Sequence, residues 1–249
     1  MGATLLTIAL ALAAGLGPHA SDHAPGLYGF SAGERTLYRI DPAQGRTPST
    51  PIGRIAPIAA NADLAMLTDA GDGQGYTIDR RANVLHTVRL SDAAVVASVP
   101  LDMNVWVTRR GLARSPEGVL YALLPGMDLR TIDPATGATA IVGPVSGATM
   151  IEALAFSPDG TLFALGSAGN KFSNALYRID TTTAVATHIA DLPVPDADVL
   201  TFAGGALYAA DASGAAATLW RIDPATGDLV SQGTTGIATL NGLAAAQNR

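Results

Sequence analysis

The stretch Ala153-Leu154-Ala155-Phe156-Ser157-Pro158-Asp159-Gly160-Thr161-Leu162-Phe163-Ala164-Leu165 decides the fold. It is read with its continuation, Leu176-Tyr177-Arg178-Ile179-Asp180 and Ala186-Thr187-His188-Ile189-Ala190. Together they form four short strands. An apolar first strand runs into a Ser-Pro-Asp-Gly turn. An alternating Leu-Phe-Ala-Leu strand follows, then a loop, a Leu-Tyr-Arg-Ile-Asp strand and a Thr-rich outer strand. Alternation over about four to eight residues, bounded by Gly, Pro and Asp, marks half-buried strands.

The same unit recurs along the chain. Its second-strand aromatic falls at Tyr28, Tyr76, Tyr121, Phe163 and Tyr208, and its third-strand aliphatic at Ile40, Val88, Ile132, Ile179 and Ile222. A four-stranded repeat of roughly 40–50 residues has the length of one propeller blade. The expectation is an all-β chain folded as a single five-bladed β-propeller over residues 27–246. The turn Asp41-Pro42-Ala43-Gln44-Gly45 returns as Asp133-Pro134-Ala135-Thr136-Gly137 and Asp223-Pro224-Ala225-Thr226-Gly227. Pro presets φ at the first turn position, and Gly takes the left-handed one. Asp in this setting reads as a turn former rather than a calcium ligand.

The two ends complement each other. Residues 237–246 read as a first strand with no blade after it, whereas the segment at Tyr28 has a second strand but no first. Residues 237–246 are therefore expected to complete the blade begun by residues 27–55. Such closure removes open sheet edges that invite aggregation.

Composition narrows the function classes. The chain has 249 residues, a formal net charge of −6 and 14% charged residues. It carries no run of Lys and Arg, so a nucleic-acid partner is not expected, because phosphate binding needs concentrated positive charge. With no cysteine there is neither a disulfide framework nor a thiol nucleophile. Residues Ala3 to Gly17 are almost wholly apolar. They are too short for a membrane span of about 20 residues and suit the apolar region of a secretory signal. Residues 1–20 are read as a signal peptide, 21–26 as a linker and 247–249 as a tail. The mature protein is expected to be secreted or periplasmic, monomeric and without a membrane span.

The pattern Gly-Leu-Ala-x-Ser-Pro-Glu/Asp-Gly-x-Leu-Tyr-Ala-Leu, followed by Leu-Tyr-Arg-Ile-Asp-Pro-Ala-Thr-Gly, resembles the blades of the YVTN, NHL and quinoprotein-like propeller superfamilies. The resemblance covers about residues 27–246 and implies propeller architecture. It does not choose among lactonases, dehydrogenases, lectins and scaffolds, which all use such repeats.

If the blades are aligned on their inner strands, Asp63, Arg110, Glu152, Asp198 and Asn241 precede those strands, one polar residue per blade. Around one axis they would form a ligand-binding ring at a channel mouth. The alternative is a set of solvated loop ends. Four functions compete. One is a non-catalytic module binding a protein, peptide or glycan, and another is a purely structural repeat. A third resembles the senescence-marker/gluconolactonase group, with Glu152, Asp198 and Asn241 holding a divalent cation such as calcium. Hard cations prefer such oxygen ligands, and a bound metal could activate water. The fourth is a glycosidase, with Glu152 as acid and Asp63 or Asp198 as its partner. No cofactor beyond that cation is expected, and binding is favoured over catalysis. His86 and His188 lie inside strands and read as packing or rim residues, and Trp106 and Trp220 as packing.

Overall fold

The computed structural model describes residues 26–42, 47–105, 111–124, 126–167, 174–194, 197–211 and 216–246. The proposed signal peptide and tail lie outside these residues, as does Trp106. The described residues form twenty strands in five antiparallel four-stranded sheets. Blade one contains β1 (Leu27–Ser31), β2 (Thr36–Ile40) and β3 (Ser49–Arg54). Blade two contains β4 (Leu64–Gly71), β5 (Gln74–Asp79), β6 (Val84–Arg89) and β7 (Val95–Pro100). Blade three contains β8 (Leu112–Arg114), β9 (Leu120–Leu124), β10 (Asp128–Ile132) and β11 (Thr139–Pro144). Blade four contains β12 (Met150–Phe156), β13 (Leu162–Ser167), β14 (Asn174–Ile179) and β15 (Ala186–Leu192). Blade five contains β16 (Ala197–Ala203), β17 (Ala206–Asp211), β18 (Thr218–Ile222) and β19 (Leu229–Thr234). The last strand, β20 (Leu240–Ala245), joins the sheet of blade one. It pairs antiparallel with β1, Leu27 facing Ala245 and Tyr28 facing Ala244.

The innermost strands β4, β8, β12, β16 and β20 each lie against the next. The apolar core is divided in the same way, into five clusters that each draw on two neighbouring blades. Blades one and two share Phe30, Leu37, Leu64 and Val88, and blades five and one share Leu219, Ala210, Leu27 and Leu240. Period-two alternation thus buries both faces of each sheet against a neighbour, and burial of these aliphatics is the main stabilising term.

The outer strands are stitched together as well. Val95 N donates to Ala56 O at 2.8 Å from blade two to blade one. Thr139 of blade three donates through N and Oγ1 to the Asp102 carboxylate, at 3.0 and 2.9 Å. Ala186 N donates to Ser146 O at 2.8 Å between blades four and three. Ser49 Oγ donates to Thr235 O at 2.7 Å between blades one and five. Blades four and five meet by close packing: a Cβ added at Gly227 would come within 2.4 Å of the Ala190 Cβ. Among the described residues no helix is long and apolar enough to cross a membrane.

Candidate functional site: two channel mouths

Residues near the starts of the five inner strands line one cavity and residues toward their ends line another, here the upper and the lower mouth. The upper mouth brings together Glu152, Asp198 and Asn241, which line one cavity with Met66, Leu67 and Gly111. Each of the three polar residues is the extra residue of a β-bulge. Glu152 falls between Ile151 and Ala153, which pair with consecutive residues of β13. Asp198 falls likewise between Ala197 and Val199, and Asn241 between Leu240 and Gly242. A bulge takes a residue out of the ladder and re-aims its side chain, so three blades repeat one device. All three side chains are half-buried. The Asn241 Oδ1 accepts a hydrogen bond from Ala32 N at 3.0 Å.

Two members of the expected ring stand apart. Asp63 does not reach this mouth. Its carboxylate accepts two hydrogen bonds from the Arg80 Nη2, both at 2.8 Å, and its N–H donates to Asp79 Oδ1 at 3.1 Å. The reason is the register of blade two, where Thr68 faces Tyr76 and the bulge spans Met66 and Leu67. Counting back from Thr68 sets Ala65, not Asp63, level with Glu152. Met66 there has φ of 63°, a left-handed conformation uncommon for a non-glycine residue. Arg110 lies outside the described residues.

The upper cavity has a volume of about 20 Å³. A cavity needs roughly 10–15 Å³ on this measure to hold one water, so its enclosed part has room for one small occupant. Among the described residues no group of three His, Cys, Asp or Glu side chains is placed to hold a metal ion. The upper mouth offers two carboxylates and an amide. The two described histidines lie away from it. His86 is buried, its Nδ1 2.8 Å from Ser98 Oγ. Burial pushes its pKa down, and the Asp79 charge opposes that shift. The exposed His188 pairs through Nε2 with Asp191 Oδ1 at 2.8 Å and meets the Tyr177 ring edge-on.

The lower mouth was not anticipated as a site. Alignment on the second-strand aromatics, which face Thr68, Ala113, Ala155, Thr201 and Ala244, makes the next inner-strand residues equivalent. They are Asp69, Arg114, Phe156, Phe202 and Ala245, one per blade, and all five line a cavity of about 30 Å³. Asp69 and Arg114 occupy adjacent blades, as do Phe156 and Phe202. The Tyr76 phenol is pushed up by burial, pulled back by Arg114 and pushed up again by Asp69, so both charges act on the same ring. The signal was present in the sequence as a column of the repeat where charged residues replace apolar ones.

No curated protein matches the sequence. Solved structures match the fold. One is a chain of a nidogen/laminin complex, 12% identical, with 90% of this chain and 86% of that chain covered and a TM-score of 0.55. Another is a protein of unknown function from Bacteroides caccae, 11% identical, with 90% and 100% covered and a TM-score of 0.52. A third is a PQQ-bound aldose sugar dehydrogenase from Streptomyces coelicolor, 18% identical, with 90% and 85% covered and a TM-score of 0.50. At such identities they speak for architecture alone, and they agree with the propeller-repeat resemblance. Residues 112–245, over half of the chain, match a family model, and the chain accordingly belongs to the family described as "Repeat of unknown function (DUF6923)".

Proposed function

We propose that this protein is an exported, non-catalytic β-propeller that binds a protein, peptide or glycan on the surface of a rigid ring. The observation that carries this reading is the size of the upper cavity, about 20 Å³. A substrate to be cleaved there must enter, and the space takes little more than one water. Rigid blades that display loops around a filled axis suit recognition at the surface. In this reading the pairing of β20 with β1 closes the ring, residues 1–20 direct secretion, and the mature chain acts as a monomer in the periplasm or outside the cell.

The test is a screen of the purified protein on peptide and glycan arrays, beside hydrolysis assays with lactones and aryl glycosides. Saturable binding without turnover is the expected result. Turnover abolished by Glu152→Gln overturns the reading.

A second reading has its own support. Glu152, Asp198 and Asn241 surround a cavity of single-ion size, and their oxygens suit a hard divalent cation. That ion would serve a lactonase-like hydrolase by polarising a water. Calcium or manganese should then raise the Tm of wild type but not of Glu152→Ala. An unchanged Tm with both cations removes this alternative.

A further inference from the structure

From the lower mouth we infer a binding site for a monocarboxylate carried on an apolar body, as at the C-terminus of a peptide or in an N-acyl amino acid. The inference rests on the reading of the protein as a binding module, and it supplies the ligand chemistry and the place.

Four observations converge. The half-buried Arg114 guanidinium borders the cavity, and among the described residues it belongs to none of the salt bridges. Two glycines with positive φ lie against it, where a side chain would crowd it. A Cβ at Gly118 would stand 3.2 Å from Nη2, and one at Gly71 would stand 3.6 Å from Nη1. A planar guanidinium is the preferred partner of a carboxylate, which it grips with two parallel hydrogen bonds. Secondly, the neighbouring Asp69 places a negative charge on the same rim. That charge disfavours a dianion such as phosphate more than it disfavours a monoanion.

Thirdly, the opposite arc is aromatic. Phe156 packs on Tyr121 with ring centroids 5.3 Å apart, and Phe202 stacks on Phe163 at 6.3 Å. These rings are held in place before any ligand arrives, and Phe202 is only partly buried. Fourthly, blade one contributes Ala245, the smallest side chain of the five at this level. The cavity of about 30 Å³ takes the carboxylate head but not the body, which must lie outside it across Phe202. The ring is therefore polarised, with a charged arc for the head and an aromatic arc for the body.

The experiment is calorimetric titration of the full chain with N-acetylphenylalanine, its uncharged amide, and a tetrapeptide ending in Ala-Phe with a free or amidated C-terminus. The free acids should bind saturably and the amides about tenfold more weakly or not at all, a difference of about 1.4 kcal/mol. Arg114→Gln should lose at least as much, Arg114→Lys should keep part of the affinity, and Arg178→Gln, at an exposed arginine outside this mouth, should change nothing. A tetrapeptide tenfold tighter than the acetyl amino acid identifies a peptide terminus as the source, and equal affinities identify a free acid. Absence of saturable binding by either free acid overturns the inference. So does undiminished binding in an Arg114→Gln protein that melts like wild type. Array binding that survives Arg114→Gln while both acids fail sinks this site and leaves the binding-module reading intact.

Discussion

Gly111→Ala tests how closely the blades must approach the axis. A Cβ at this position would lie 2.4 Å from Leu154 Cγ, 2.5 Å from Leu154 N and 2.7 Å from Leu154 Cβ. Carbon atoms in ordinary contact sit about 3.5–4.0 Å apart, so blade three must retreat from blade four by about 1 Å. Overpacking a well-filled core costs about 1–3 kcal/mol. One opposing atom is backbone and cannot swing aside, so the cost belongs near 3 kcal/mol. In a chain of this size each kcal/mol shifts the Tm by about 2–4 °C, which places the variant about 6–12 °C below wild type. Gly160→Ala is the control. Gly160 has φ of +85°, and its nearest neighbour to an added Cβ is Glu117 Oε1 at 4.0 Å. Only conformation opposes alanine there, at roughly 1–2 kcal/mol, and reduced freedom in the unfolded chain offsets about 0.4–1 of it. Circular-dichroism melts and urea midpoints of both variants decide the matter. Melting points within 2 °C of each other, or a larger loss for Gly160→Ala, would refute the close-approach argument.

Two further outcomes are expected. Burial depresses the His86 pKa, so the unfolded chain takes up its proton first as the pH falls below about 6.5. The resulting stability is present above that value and is lost as the pH drops through the lower folded one. Urea midpoints from pH 7 to pH 5 should therefore fall more steeply for wild type than for His86→Gln, and an equal or opposite slope contradicts the assignment. Deleting residues 237–249 removes β20 and strips Leu240 and Ala244 from two inter-blade clusters. The melt should lose its single sharp transition, and a cooperative melt within 5 °C of wild type would argue that β20 is dispensable.

The blades were legible because each carries an aromatic on its second strand and a turn with Pro, Asp or Gly at set places. These are local signals, repeated five times. The upper mouth was legible in blades one, four and five, where Asn241, Glu152 and Asp198 directly precede small or apolar residues. Blade two was not, because its bulge lies at Met66 and Leu67, and a bulge adds a residue without leaving a mark in composition. Asp63 was polar and close by, but it belongs to the turn that Arg80 and Asp79 hold. Arg114 abuts Ser115-Pro116-Glu117-Gly118 and by sequence alone reads as part of that solvated turn. Its orientation toward the axis depends on the inner position of β8, which is a tertiary fact.

The meeting of Leu27 with Ala245 has a practical outcome for topology. Ala246 N donates to Gly26 O at 3.1 Å, so a linker of a few residues could join the two and let the chain be cut open elsewhere. A circular permutant starting at the loop between blades two and three would enclose the same five sheets. Its construction would make the present first blade an interior one, and the order of translation would cease to matter to the pairing of β20 with β1.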